Sequence, residues 1–364
     1  MSVRRASATA ALGALLGGAL LAVTALGARG EDARCRDYAD GTKVAVIDAA
    51  RVVEASGLAA SDLQPGIFWT HNDSGAGPWL YALDEDGDEV ARVWLAGADA
   101  VDWEDVALGP CAPGADTRAC LYVADTGNNV GDRDDQVIYR IAEPDLSDLG
   151  RGGELEVEAD AMFVALDASE DVEAMFIDED AAPWLVSKDP KRARLYRVDG
   201  FHAGAVRAAE RVAERGDIES VTGASASRDG VRVVLRSSDH AWELFRPAGR
   251  SLKSAFLGEL LEIDLDRGKE KQGEAIAFAP DGSGFYTTRE GRDAAIRWYR
   301  CKKFGASLSG KEDAGGIVSD PVTPSAGCGA ARDGMGWALV VAMGVSVGWG
   351  RRARRRESVG RPGG

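Results

Sequence analysis

Histidine is scarce in this 364-residue chain, and the three present, His71, His202 and His240, fall in unrelated loops that give a zinc triad little support. No Gly-x-Ser-x-Gly elbow, phosphate loop or dinucleotide fingerprint stands where a strand-to-helix turn could carry it, so the common signatures of serine hydrolases, nucleotide binders and nicotinamide enzymes are missing. The body also lacks long helical periodicity, and proline and glycine punctuate it throughout. What remains is an all-β chain whose chemistry must be sought in something other than a catalytic motif.

That something is a phrase written five times. Four copies read Trp103-Glu104-Asp105-Val106-Ala107, Val172-Glu173-Ala174-Met175-Phe176, Ile218-Glu219-Ser220-Val221-Thr222 and Gly273-Glu274-Ala275-Ile276-Ala277, and a fifth, Ala55-Ser56-Gly57-Leu58-Ala59, has serine for the acid. A second apolar run follows each copy, ending in Asn72, Asp125, Lys188, Ser237 or Arg289, and a third run is built on one aromatic. From Ser56 onward the copies are spaced by 48, 69, 46 and 55 residues, close to the roughly 40 to 50 residues of one four-stranded propeller blade. The spacing predicts a five-bladed β-propeller over residues 35–301, with a sixth blade as the alternative if the 69-residue step hides one. Residues 43–53 would complete the last blade, and the turn Asp84-Glu85-Asp86-Gly87-Asp88 reads as a hairpin because it lacks the closing bidentate glutamate of a calcium loop.

Strands alternate direction within a blade, and the first lies nearest the axis. The repeated Glu104, Glu173, Glu219 and Glu274 should therefore gather at one mouth, beside the ends of the second strands. Four carboxylates in a narrow space need compensation. Three forms are open: pairing with Lys188, Arg236 and Arg289; a hard cation such as Ca²⁺, which takes six to eight oxygens; or capping of backbone amides in the next blade. The loop Asp125-Thr126-Gly127-Asn128-Asn129-Val130-Gly131-Asp132-Arg133 offers further oxygens, so Asn72, Asp73, Asp125, Asn128, Lys188, Arg236 and Arg289 are the candidate ligand-binding residues. His71 is the candidate general base, with Asp125 the other weak catalytic candidate.

Residues 1–30 carry Arg4, Arg5, an apolar stretch and small residues suited to cleavage, which reads as a secretory signal. A polar linker, 302–327, leads to Cys328, an apolar stretch over 335–350 and a cluster of arginines, Arg351, Arg352, Arg354, Arg355 and Arg356. The stretch reads as a membrane helix that would hold the body outside the cytoplasm. Setting Cys328 aside leaves four cysteines: Cys111 and Cys120 bracket a loop short enough to staple, and Cys35 and Cys301 flank the repeats, where a bridge would lock a ring. Without residues 1–30 and 329–364, which hold ten arginines against one aspartate and one glutamate, the body's charge falls from −16 to about −24. Such a surface repels nucleic acid and suits divalent cations.

Two resemblances add to this reading. Residues 328–356 resemble the myxobacterial sorting tail called MYXO-CTERM, which implies cleavage near Cys328 by a sorting protease and delivery to the cell surface. The phrases Trp69-Thr70-His71-Asn72-Asp73-Ser74-Gly75, Asp102-Trp103-Glu104-Asp105, Asp125-Thr126-Gly127-Asn128-Asn129 with Arg133, and Gly273-Glu274-Ala275-Ile276-Ala277 resemble an exported bacterial propeller family without assigned function, over about 43–301. More distantly, the opening Glu is similar to that of calcium propellers with phytase-like, lactonase-like or esterase-like activity, which implies a metal at the channel mouth. Three functions stay open: binding of a small-molecule or protein ligand, Ca²⁺-dependent hydrolysis of phosphate or carboxylate esters, and a structural role in the envelope.

Overall fold

The computed structural model describes residues 34–305 except 116, 132, 266–269 and 271. Two strands, β1 (Cys35–Tyr38) and β2 (Thr42–Val46), precede the first repeat. The repeats then supply β3 (Ala55–Ala60), β4 (Phe68–Asn72), β5 (Trp79–Leu83) and β6 (Glu89–Ala96), followed by β7 (Trp103–Gly109), β8 (Cys120–Asp125) and β9 (Val137–Ala142). Next come β10 (Gly153–Glu158), β11 (Asp160–Ala165), β12 (Val172–Ile177), β13 (Pro183–Ser187), β14 (Ala193–Val198) and β15 (Val206–Arg215). The remainder is β16 (Gly223–Ala226), β17 (Arg232–Arg236), β18 (His240–Phe245), the short helix α1 (Leu252–Phe256), β19 (Leu260–Asp264), β20 (Gly273–Phe278), β21 (Gly284–Arg289) and β22 (Ala295–Phe304).

Each repeat pairs antiparallel in chain order, from an inner strand outward. The inner strands β3, β7 and β12 are buried along their whole length, as apolar runs between neighbouring sheets must be, whereas outlying β10 alternates half-buried with exposed. β3 packs on β7, β7 on β12, β12 on β16, β16 on β20, and β20 back on β3, so the inner strands close on themselves in a propeller-like arrangement. Of residues 43–53, expected to complete the last blade, the strand β2 takes only the part up to Val46.

The 69-residue step is explained by β10, which turns back to lie parallel to β6 of the first sheet before β11 pairs with β9. β11 also pairs parallel with β15, which joins the second and third sheets along their outer edges. At the closure β2 pairs with β22, and β1 adds to the far part of the same long strand. The two disulfides form as the sequence suggests: Cys111–Cys120 staples the β7–β8 loop, and Cys35–Cys301 ties the first described strand to the last. The second bond spans 266 residues. Replacing both Cys35 and Cys301 with serine should therefore lower stability by about 2 to 4 kcal/mol in urea unfolding. An unchanged midpoint would mean that strand pairing alone holds the closure.

Among the described residues no helix is long and apolar enough to cross a membrane. The expected secretory signal over 1–30, the expected linker beyond residue 305, Cys328 and the apolar stretch 335–350 lie outside the described residues.

Candidate metal and ligand site

The repeated glutamate occupies a β-bulge. Register slips between Trp103 and Asp105, between Val172 and Ala174, and between Gly273 and Ala275, so Glu104, Glu173 and Glu274 are the skipped residues at the start of β7, β12 and β20. In β3 the same irregularity skips Ser56 and Gly57. A bulge bends the strand and re-aims its extra side chain. Three acids are thereby turned toward a common mouth, where the charges of Glu173 and Glu274 are felt by the same ammonium, that of Lys188.

Glu219 is not one of them. It is exposed and sits ahead of β16, followed by Ser220 at φ 51°. The equivalent position belongs to Thr222: Ala224 matches Met175, since both amides donate to Asp105, and Thr222 stands two places before Ala224 as Glu173 does before Met175. Thr222 gives its hydroxyl to the Gly273 carbonyl instead of adding a charge.

Glu104 is the centre of the site. It is 4% exposed, and its Oε1 is buried without a hydrogen-bond partner. One carboxylate oxygen each from Glu104, Asp73 and Asp102 come within 4.8 Å of one another, and the same holds for Glu104, Asp171 and Glu173. Asp73 Oδ1 is a second buried oxygen without a partner. Burial first, then the charges of Glu173, Asp73, Asp102 and Asp171, push the Glu104 carboxyl well above the usual range. Over this group runs the loop after β8: a Cβ built on Gly127 would fall 2.0 Å from Glu104 Oε1 and 2.5 Å from Asp102 Oδ2, so only glycine fits there.

Lys188 bonds Glu173 Oε1 at 2.5 Å. Burial works against its charge, but Glu173, Glu274 and Glu104 outweigh it and raise the ammonium's pKa. Even so, burial pushes Glu173 up to about 8 and Glu274 to about 7. Among the described residues one cation, Lys188, thus serves the Glu173 side of the cluster, and none is bonded to Glu104.

The other predicted residues hold the scaffold. Asn72 accepts from the amides of Val53 and Glu54 and donates to the Arg51 carbonyl. Asp125 accepts from the amides of Val101 and Asp102 and pairs with Arg133 at 2.9 Å, which fixes the segment leading to Glu104. Asn128 braces the same loop: its amide donates to Asp171 Oδ1 and its side chain to the Arg133 carbonyl. Arg236 was expected to face the glutamates, but it is fully buried, bonding the carbonyls of Ala275 and Thr288 and pairing with Glu270 at 3.1 Å. Arg289 turns to the carbonyl of its neighbour Glu290. His71 is a strand residue rather than a loop residue. Its Nδ1 donates to the Asn72 carbonyl, burial pushes its pKa down to about 4, and complete enclosure removes it as a base for a solvent water.

Three contributors escape a reading of the sequence alone. Asp102 and Asp171 each stand two residues before a bulge glutamate, but the same Asp-x-Glu spacing recurs at Asp217 and Glu219, so it does not single them out. Asp105, inside the phrase itself, performs the capping that was one of the three forms open to the glutamates. Fully buried, it accepts from Val106 N, from Met175 N on the next inner strand at 2.9 Å, and from Ala224 N on the strand after that at 3.2 Å.

No family model and no curated protein matches this chain. Similar solved structures include the PQQ-bound form of aldose sugar dehydrogenase from Streptomyces coelicolor, at 11% identity and TM-score 0.42, with 72% of this chain and 98% of that one covered. The β-propeller domain of Cps50 (Swd1) from Myceliophteria thermophila follows at 10% identity and TM-score 0.38, with 71% and 99% covered. Virginiamycin B lyase from Staphylococcus aureus gives 12% identity and TM-score 0.34, with 68% and 66% covered. These likenesses are too slight to bring any activity to this chain, whose propeller-like form rests on its own strand pairing.

Proposed function

We propose that this protein is an exported five-bladed β-propeller, placed at the cell surface by its C-terminal tail, which binds a ligand through its acidic mouth around a hard divalent cation of the Ca²⁺ type. The observation that carries the reading is the orphaned, buried Oε1 of Glu104, facing oxygens of Asp73, Asp102, Asp171 and Glu173 with no cation bonded to it. A donor set made wholly of oxygens suits Ca²⁺, and an ionised carboxylate is costly to bury unless paired or ligating. When bound, such an ion supplies positive charge that attracts a carboxylate or phosphate group of a ligand. Asp125 and Arg133 orient the segment carrying Asp102 and Glu104, Gly127 leaves the space, and Lys188 neutralises the far side. Binding is favoured over ester hydrolysis because His71 and Asp125, the residues suited to activate water, are both tied into the scaffold.

The pKa shifts set the pH dependence. Glu173 and Glu274 rise from 4.5 to about 8 and about 7, so the folded metal-free protein holds their protons more tightly than the unfolded chain. The stability this gives is fully present below about pH 4.5 and is lost as pH rises through about 7 to 8. A divalent cation must displace those protons. Calorimetric titration of Ca²⁺ at pH 6 and pH 8 should show one ion per chain, tighter binding at pH 8 and proton release. Flat titrations at both pH values would remove the metal from the reading.

A further inference from the structure

A cavity of about 300 Å³ opens at the end of the inner strands away from the acidic mouth, between the first sheet and the last. Phe68 on β4, Tyr286 on β21 and Trp298 on β22 line it, with the Glu85 carboxylate at its rim. The rings form one aromatic wall: Phe68 stands edge-on to Tyr286 at 4.8 Å between centroids, and Tyr286 lies 4.6 Å from Trp298. The exposed Glu85 side chain passes over Gly66, where a Cβ would meet its Cγ at 2.9 Å.

Several other rings of this protein carry one of its own arginines. Arg92 sits over Trp79, Arg140 over Phe201, Arg197 over Trp184 and Arg232 over Phe278, at 4.2 to 5.9 Å from the ring centroids. Among the described residues no arginine or lysine lies over Phe68, Tyr286 or Trp298. The charges acting on the Tyr286 hydroxyl are those of two carboxylates, Asp281 and Glu85, which together with burial raise its pKa. Aromatic faces attract cations, and a carboxylate at the rim adds to the attraction.

We propose that this cavity is a binding site for an organic cation, of the alkylated ammonium class, held against the wall of Phe68, Tyr286 and Trp298 and paired at the rim with Glu85. It is independent of the acidic mouth. The volume admits a head group of choline size, and the body's charge of about −24 favours cationic over anionic ligands.

The test uses choline and its uncharged isostere 3,3-dimethylbutan-1-ol, titrated by calorimetry into the intact protein. Choline should bind saturably and at least about tenfold more tightly than the alcohol, as expected when a cation–aromatic contact adds to shape. Glu85→Gln, at an exposed position that leaves the fold intact, should weaken choline severalfold without altering the alcohol. Trp298→Leu should weaken choline about tenfold. Equal affinity for the two compounds, no choline binding to the wild type, or choline affinity unaffected by both cavity variants would each overturn the proposal.

Discussion

Asp105→Ala should be the most destabilising single change in the body, lowering unfolding free energy by about 3 to 6 kcal/mol. Its carboxylate collects amides from three successive inner strands, β7, β12 and β16, at a point where the packing leaves no access to water. Alanine leaves those three N–H groups buried and unpaired, at about 1 to 3 kcal/mol each, and opens a polar void on the axis. Asn keeps one acceptor but turns a donor toward donors, so Asp105→Asn should recover only part of the loss. Urea midpoints at constant m-value report the differences. A change below about 1 kcal/mol for the alanine variant would mean that the inner strands hold their ring without this link.

Glu104→Gln should act in two opposite senses. Without metal, above pH 7, the variant should melt higher than the wild type, because it removes a buried carboxylate that neighbouring acids and burial already hold well above its usual pKa. With Ca²⁺ the order should reverse. At a hundredfold excess over its dissociation constant, one bound ion stabilises by about 2.7 kcal/mol, several degrees for a domain of this size. The glutamine variant should lose affinity on the order of 100-fold and show no such rise, since ligand charge sets Ca²⁺ affinity. A merely structural Glu104 predicts the contrary, with the variant less stable in both conditions.

The repeat was legible because propeller blades impose a length, and the phrase, the second run and the aromatic run recur at that length. Its meaning at the level of single residues was less so. Glu219 has the right neighbours in sequence, yet its structural position is taken three residues later by Thr222, after Ser220 adopts a positive φ. Nothing local distinguishes such an offset from a true copy. Capping, one of the three forms left open for the glutamates, falls to Asp105 beside Glu104, a residue given no role from the sequence. In a regular strand adjacent residues point to opposite sides, and the bulge at Glu104 decides which acid faces the mouth and which the axis. Arg236 shows a third limit. Its partner Glu270 is thirty-four residues away, in a loop without repeat character, so no spacing could announce a pair that clamps the fourth and fifth sheets. By contrast the two disulfides needed only closure of the ring and shortness of a loop, and both formed.

The paired oxygens without partners, Glu104 Oε1 and Asp73 Oδ1, make the mouth a place where stability has been given up. Sites that hold unfavourable charge in the absence of ligand are commonly functional. The most direct measurement is a crystal of the body grown with a lanthanide in place of Ca²⁺, phased on its anomalous signal. The account predicts a single strong peak at about 2.3 to 2.6 Å from Glu104 Oε1, shared with Asp73, Asp102 or Asp171 and absent in Glu104→Gln. A mouth without a peak in the wild type, or a peak that survives the substitution unchanged, would contradict it.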